Sequence, residues 1–261
     1  MSKRRMRQNL AITVLATVIL FFSAVSSVTA LSLEPLSHTF DTTQSGRIRT
    51  FRVKNTQSQR ISVRVRMTSR SLLPNGEEVR GPVDDEWLVF PRQMTLEPGT
   101  TQAVRVQYTG TDDVSVERAY RIVAEQLPVD FSGGDRQSGI NLLFRYEGSV
   151  YVAPPGAAPD VVLVESSLQF EDGVLQGLLV RFENRGTAHA ILNDLVFTIS
   201  RSDAAGTAGN TVDEITIGEE DLAVLGGANL LAGARLEELI PLSKEWAEGL
   251  LNVRYDVDLL Q

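Results

Sequence analysis

The sequence predicts an all-β protein built from two β-sandwich domains. Three observations support this fold class. Short segments alternate apolar and polar residues with a period of two, and turn residues separate these segments at regular spacing. The chain of 261 residues, even without its first thirty, is long enough for two cores of ordinary domain size.

The first thirty residues have the features of a secretory signal peptide. An apolar run from Leu10 to Val25 follows a positive start, and small residues at Val28-Thr29-Ala30 have the spacing of a cleavage site. The positive start consists of Lys3, Arg4, Arg5 and Arg7. The alternative is an uncleaved anchor, but the run is short for a spanning helix of about 20 residues. We therefore expect cleavage after Ala30 and a mature protein outside the cytoplasm with no membrane insertion.

Composition argues against several classes of function. The net charge is −8, and it becomes more negative without the basic leader, which argues against a nucleic-acid-binding protein. The chain has no cysteine and two histidines, His38 and His189, so thiol chemistry and His-rich or Cys-ligated metal sites are excluded. The acidic runs at 84–86 and 219–221 lack the spacing of a calcium loop and are interpreted as surface charge.

No catalytic motif is present in the sequence. It contains no nucleophile elbow, no phosphate-binding glycine loop and no His-Glu-x-x-His motif. We interpret both histidines as ordinary surface or half-buried residues. The sequence therefore predicts a protein that is not an enzyme, with no catalytic residues, no bound metal and no cofactor.

Residues 31–153 are predicted to form the first sandwich. The clearest alternation lies at 60–67, where Ile61, Val63, Val65 and Met67 are predicted to face inward. Arg60, Arg64 and Arg66 face outward and are interpreted as a solvated stripe. The other strands are predicted at 31–40, 47–55, 86–90, 101–108, 119–127 and 140–152, with turns at 74–76 and 96–99. Many short strands with regular turns are typical of an immunoglobulin-like sandwich.

Residues 154–160 are predicted to be a linker, and residues 161–261 a second, smaller β-sandwich. The linker contains three prolines and a glycine. Alternation resumes more weakly after it. The predicted strands are 161–165, 168–170, 177–183, 190–200, 212–217, 236–242 and 251–259.

The stretch 139–154 is predicted to be one long β-strand at the end of the first domain. Ile140, Leu142, Phe144 and Tyr146 fall on one face of this strand. It exceeds the usual strand length of about 5–6 residues, and it lies between a loose loop at 130–139 and the linker. A long strand in this position is suited to pairing with a partner outside its own domain. The alternative is that it only closes its own sheet.

Several short motifs together resemble the periplasmic pilus-assembly chaperones of the PapD type. They are the Leu96-Glu97-Pro98-Gly99 turn that leads into Val104-Arg105-Val106, then Glu117-Arg118-Ala119-Tyr120-Arg121, Glu125-Gln126-Leu127-Pro128 and the long strand, with Phe182-Glu183-Asn184-Arg185-Gly186 in the second domain. The resemblance covers the chain after the leader and is strongest from 91 to 154.

The resemblance implies two immunoglobulin-like domains in an L-shaped arrangement and a location in the periplasm. It also implies that the long strand is lent to pilus or fimbrial subunits that lack a strand, an exchange known as donor-strand complementation. The residues that match the donated side chains are Ile140, Leu142 and Phe144, with Tyr146 as a further candidate. An outer-membrane usher would receive the subunit, and self-association of the empty chaperone is left open. The alternative is a PapD-like adaptor or adhesion module that serves no usher.

The family's carboxylate anchor is not obvious in this sequence. The family anchors the subunit's C-terminal carboxylate with an Arg in the first strand and a Lys in the donor strand. The matching positions here are Ser37 and Ser149. Charge-assisted hydrogen bonds are roughly twice as strong as neutral ones, so the change matters. Three explanations are open: weaker anchoring, a substitute cation such as Arg145 or Arg121, or a client that is held differently.

Overall fold

The structure is a computed structural model in which residues 31–43, 45–129, 131, 142–202, 211–218, 227–243, 246 and 250–260 are described. Nearly all regular structure in these residues is β-strand. The first set of strands is β1 (Leu31–Glu34), β2 (Ser37–Asp41), β3 (Ile48–Asn55), β4 (Ile61–Ser69), β5 (Ser71–Leu72), β6 (Glu78–Val79), β7 (Trp87–Phe90), β8 (Gln93–Leu96), β9 (Thr101–Tyr108), β10 (Arg118–Leu127) and β11 (Arg145–Ala153). The second set is β12 (Val161–Glu171), β13 (Val174–Asn184), β14 (Ala190–Ser202), β15 (Thr211–Ile217), β16 (Asn229–Leu230), β17 (Arg235–Pro241) and β18 (Leu250–Leu260).

The strands up to β11 form an immunoglobulin-like sandwich. One sheet has the order β1-β3-β9-β7 and the other β2-β11-β10-β4-β8, while β5 and β6 form a separate hairpin. The inward residues of both sheets share one apolar core, which includes Phe51, Trp87, Ile122 and Val150. The inward alternation predicted for 61–67 is confirmed, since all four apolar side chains of that segment are buried in this core.

The segment predicted as a single first strand is two strands that lie in different sheets. β1 pairs antiparallel with β3, whereas β2 pairs parallel with β11 in the opposite sheet. The break falls at Pro35, which has no N–H group to donate to a ladder. The prediction of one continuous strand over 31–40 was therefore wrong.

The predicted long strand is also shorter than expected at its N-terminal end. β11 begins at Arg145, and residues 142–144 have no strand assignment, although Phe144 O still accepts a hydrogen bond from Gln126 N at 2.8 Å. The register ends at the pair Glu125 and Arg145, and its continuation would bring Pro128 opposite Leu142. Because a proline nitrogen cannot donate to the ladder, antiparallel pairing ends here. Residues 139–141 lie outside the described part of the chain.

The strands from β12 onward form a second sandwich with its own core. One sheet has the order β12-β13-β17, and the other has β15-β14-β16 with β18 also paired to β14. Phe182 and Phe197 lie at the centre of the core. The strands predicted at 161–165 and 168–170 are one strand, β12, with register shifts within it. No helix among the described residues is long and apolar enough to cross a membrane, and the predicted leader lies outside those residues.

Candidate functional site

The two edges of β11 differ along its length. On one side, β10 pairs with the strand from Arg145 to Val152. On the other side, β2 pairs with it only from Ser149 to Ala153. Among the described residues, 145–148 have no strand on the β2 side. The first half of β11 is therefore an open edge.

A glycine marks the point where β2 arrives at β11. Ser149 N donates a hydrogen bond to Leu36 O at 2.8 Å. A Cβ atom at Gly148 would lie 3.0 Å from Leu36 O and 2.9 Å from Ile122 Cγ2, closer than side chains normally approach. The absence of a side chain at Gly148 lets the segment just before β2 pack this closely.

The open edge has main-chain groups available for another strand. Successive residues of a β-strand direct their N–H and C=O groups to opposite sides of the strand. Phe144 O bonds to β10, and Ser149 N bonds away from it. The N–H and C=O groups of Arg145 and Glu147 therefore point towards the open side.

The structure places two of the predicted donor side chains in line with the core. Phe144 and Tyr146 are half-buried and pack against the first core, on the same face of the strand as the buried Val150. Leu142 precedes the strand and is 68% exposed. Ile140 lies outside the described residues. The described part of the predicted row thus runs from an exposed leucine, Leu142, to two half-buried aromatic residues.

The two predicted anchor positions lie opposite each other. Ser37 of β2 and Ser149 of β11 are register partners. Arg121 of β10 is the register partner of Ser149 on the other side, and its Nη1 donates a hydrogen bond to Ser149 Oγ at 2.6 Å. Arg145 lies four residues from Ser149, about 13 Å along the strand, and forms an ion pair with Glu147 at 2.7 Å. The structure therefore brings Arg121, and not Arg145, to the serine pair.

Arg121 belongs to a network that we call the arginine cluster, formed by Arg70, Arg80, Arg121 and Arg145 with Glu78 and Glu147. Glu78 accepts hydrogen bonds from Arg121 Nη2 at 2.6 Å, Arg70 Nε at 2.9 Å and Arg80 Nε at 2.6 Å. Glu147 accepts two from Arg80, at 2.8 and 2.6 Å. With four guanidinium groups and two carboxylates, the cluster has a formal excess of positive charge.

The arginines hold Glu78 firmly in its ionised form. Burial by itself would raise the pKa of the Glu78 carboxyl. The hydrogen bond and charge of Arg121, together with Arg70 and Arg80, outweigh burial and lower that pKa to about 2. The pKa of Glu147 shifts in the same direction, chiefly because Arg80 hydrogen-bonds its carboxylate. Both carboxylates are thus charged throughout the neutral and mildly acidic range.

A buried joint between the two sandwiches lies beside the cluster. His189 Nδ1 is 2.8 Å from Glu117 Oε1, and the His189 main-chain N–H donates to the same oxygen at 2.9 Å. The imidazole stacks on the Tyr151 ring with centroids 3.7 Å apart. The Tyr151 hydroxyl accepts hydrogen bonds from Asn229 Nδ2 at 2.6 Å and from Arg70 Nη1 at 3.3 Å. The joint thereby connects the second sandwich to the arginine cluster.

The sequence does not predict this joint. His189 is predicted to be an ordinary surface or half-buried residue, whereas the structure buries its side chain against Glu117. The local cause is Asn184, whose side chain bridges the turn before His189 through Gly186 N and Ala188 O. The Asn-x-Gly motif was visible in the sequence, but no local signal paired His189 with a glutamate 72 positions away.

The described residues contain no group of three or more histidine, aspartate or glutamate side chains that could hold a metal ion. The chemistry of the site is instead that of an open strand edge with a cationic cluster beside it. Such an edge can add a strand, and such a cluster can bind a carboxylate.

Residues 36–158 match the family described as "Pili and flagellar-assembly chaperone, PapD N-terminal domain". The matched range contains the whole of the open edge, both serines and the arginine cluster. The first sandwich therefore belongs to the PapD N-terminal domain family of pilus-assembly chaperones. No curated protein sequence matched the chain.

Solved structures extend the likeness in fold to both sandwiches. The class 5 fimbriae chaperone CfaA has 12% identity and a TM-score of 0.52, over 88% of this chain and 98% of that one. The Salmonella enterica complex of SafA pilin with the SafB chaperone has 14% identity and a TM-score of 0.53, over 90% and 92%. The E. coli chaperone DraB has 14% identity and a TM-score of 0.50, over 82% and 86%. At these identities the likeness shows the shared two-domain fold.

Proposed function

We propose that this PapD-type chaperone lends the N-terminal half of β11 to a pilus subunit whose own immunoglobulin-like fold lacks a strand. The observation that supports this proposal is the open edge at residues 145–148. Among the described strands, β10 pairs with one side of this segment and none pairs with the other side. Main-chain groups of Arg145 and Glu147 would continue a sheet into the subunit. Donor-strand complementation between chaperones and pilins is an established form of strand addition to an exposed sheet edge.

The apolar row before and within β11 would provide most of the affinity. Burying a large aliphatic or aromatic side chain contributes roughly 1.5–3 kcal/mol. Leu142 has the most to gain among the described residues because it is the most exposed of the row. Phe144 and Tyr146 already touch the core and would gain less each. Ile140 completes the proposed donor set of four residues.

The carboxylate of the subunit's C-terminus would bind at Arg121, beside Ser149 and its register partner Ser37. Arg121 is the cation in contact with this serine pair, through Ser149 Oγ. Two hydroxyls and a guanidinium offer charge-assisted bonds to a carboxylate. The net positive charge of the arginine cluster favours an added anion. Arg121 therefore replaces the arginine and lysine that the family uses.

The family match of residues 36–158 supports pilus or fimbrial subunits as the clients, and one of the similar solved structures is of a pilin in complex with a chaperone. We propose export through cleavage of residues 1–30, action in the periplasm and delivery of the subunit to an outer-membrane usher.

The proposed units are a donor domain at 31–153, a linker at 154–160 and a second domain at 161–261. The subunit's own folding energy can drive its later transfer, which requires no nucleotide.

Co-purification from the periplasm with candidate subunits tests this function. The test variant is Leu142→Arg with Phe144→Arg, which places charge in the proposed donor row. The matched control is Leu88→Arg with Phe90→Arg on β7, an equally spaced pair of apolar residues that are 53% and 72% exposed in the other sheet. We expect the test variant to lose at least about a hundredfold in affinity, the equivalent of two large buried side chains. The control should bind as the wild type does.

Equal retention of the subunit by wild type and test variant would contradict the proposal. Loss of binding by both variants would also contradict it, because binding would then depend on exposed apolar surface in general. Thermal unfolding of each variant separates loss of binding from loss of fold.

A further inference from the structure

Glu78 is paired with Arg121, the residue to which the proposed function assigns the binding of the subunit carboxylate. Arg121 donates from Nε to Glu78 Oε1 at 3.1 Å and from Nη2 to Oε2 at 2.6 Å, so the two side chains form a two-point pair. The remaining terminal nitrogen, Nη1, donates to Ser149. The edge of the guanidinium formed by Nε and Nη2, which can bind a carboxylate at two points, is thus already bound to a carboxylate of the same chain.

Glu78 reaches this position on a hairpin that is fixed at both ends. The hairpin consists of β5, β6 and the turn between them, with Leu73 N bonded to Glu77 O at 2.9 Å. Its tip meets the second sandwich, where Glu237 N donates to Pro74 O at 2.9 Å. Its base carries Glu78 into the arginine cluster. The carboxylate is therefore supplied by an element with no strand partner in either large sheet among the described residues.

The charges explain why an internal carboxylate is useful in the empty protein. The side chains of Arg70 and Arg121 are mostly buried, with 6% and 19% of their surface exposed. Partly buried cations without an anion are costly because they have lost hydration without gaining a partner. Glu78 compensates both, and Glu147 compensates Arg80 and Arg145.

We infer that Glu78 is an internal stand-in for the C-terminal carboxylate of the client. It pairs with Arg121 while the chaperone is empty, and the client's carboxylate competes with it for the same guanidinium. This inference rests on the proposed function of Arg121 as the anchor. Its consequence is that Glu78 lowers the affinity for clients with a free carboxylate and leaves the affinity of the apolar row unchanged.

A pair of peptides tests this competition. The probe is an acetylated peptide of alternating valine and threonine with a free C-terminal carboxylate, and its reference is the same peptide as the C-terminal amide. Glu78→Gln keeps the size of the side chain and removes its charge. The matched control is Glu183→Gln, since Glu183 of the second sandwich is also a carboxylate bound by two arginines, Arg185 and Arg235. Binding is measured by calorimetry at low and moderate salt.

Removing the charge of Glu78 should strengthen binding of the acid peptide roughly tenfold, the scale of one charge-assisted contact. The amide peptide should bind wild type and Glu78→Gln equally, and Glu183→Gln should bind both peptides as the wild type does. Glu78→Asp retains the charge and should bind the acid peptide within about threefold of wild type. Equal or weaker binding of the acid peptide by Glu78→Gln would overturn the inference.

Arg121→Ala separates failure of the inference from failure of the proposed anchor. If Arg121→Ala abolishes the preference for acid over amide while Glu78→Gln leaves it unchanged, the anchor is right and the competition is wrong. If no variant prefers the acid peptide, the anchor itself is wrong and the inference falls with it. Absence of binding by both peptides to every variant would contradict strand addition at β11 and thereby both proposals.

Discussion

The two halves of β11 show how one strand can have two different roles. From Ser149 onward the strand lies between β10 and β2, and Val150, Tyr151 and Val152 are buried. Before Gly148 it has β10 on one side, and its side chains are half-buried or exposed. The second half supports the core and the joint, whereas the first half offers an edge. Neighbouring strands, and not the alternation of the strand itself, distinguish the halves.

The open half also carries charge that protects an exposed edge. Arg145 and Glu147 point away from the core and pair with each other at 2.7 Å. Charged side chains on edge strands discourage pairing between identical molecules. The open edge thus resists pairing with a second copy of this chain, and it can still accept a partner strand that has its own apolar side chains.

Truncating the buried half should have the largest effect on stability. Tyr151→Ala removes a buried ring that stacks on His189 and bonds Asn229. We expect a loss of about 3–5 kcal/mol in the free energy of unfolding, as for other large aromatic truncations. Tyr146→Ala, in the open half, should lose less than about half as much because its ring is only partly buried.

Tryptophan fluorescence during urea unfolding can measure this difference. The chain has two tryptophans, and Trp87 lies in the first core while Trp246 lies in the second. A Trp246→Phe background makes Trp87 the reporter of the first domain. Equal losses for the two tyrosine variants would show that the halves of β11 do not differ in structural role.

A change at the boundary between the halves should have an intermediate effect. Gly148→Ala places a Cβ atom 3.0 Å from Leu36 O, so β2 or β11 must shift. We expect a loss of about 1–3 kcal/mol, the usual cost of overpacking. The control is Gly218→Ala, where, apart from the adjacent residues, no atom of the described part of the chain lies within 4 Å of the added Cβ. A neutral Gly148→Ala in the same urea assay would mean that β2 does not need this close approach.

The smallest predicted effect is a loss of folding stability at acidic pH that depends on the charge of Glu78. Its pKa is about 2 in the folded protein, below the ordinary value of 4.5. Because the pKa of Glu78 is lower in the folded protein than in the unfolded chain, the ionised carboxylate stabilises the fold. This contribution is fully present above the unfolded pKa of about 4.5, and it is lost as the pH falls from about 4.5 towards 2. Wild type should therefore exceed Glu78→Gln in stability near pH 6, and the two should converge near pH 2.

Urea midpoints of the Trp87 signal between pH 6 and pH 2 measure this convergence. Glu125 provides the comparison, since its ion pairs are with Arg64 and Arg66, which are not members of the arginine cluster, and its pKa is also lowered although burial opposes the shift. Glu125→Gln should show the same direction of pH dependence. A constant difference between wild type and Glu78→Gln across this range would contradict the pairing of Glu78 with the arginines.

The sequence by itself determined the two-sandwich fold class and the family resemblance. Alternation over 61–67 predicted which side chains are buried, because side-chain direction in a strand depends on local geometry of period two. The turn at Leu96–Gly99 and the Asn184 motif were also readable, since turns depend on a few adjacent residues. The donor row and the role of the two serine positions remain predictions.

Only the tertiary structure decided where β11 opens and which cation meets the serines. The pairing of β11 with β10 ends at Arg145, before the proline at position 128 of the other segment, and its open edge ends where Leu36 O accepts the hydrogen bond of Ser149 N. Arg121 meets Ser149 through the register of β10 and β11, and Glu78 reaches Arg121 from a third element. Pairing partners and register join residues far apart in the chain, and alternation within a single strand contains no information about its neighbours.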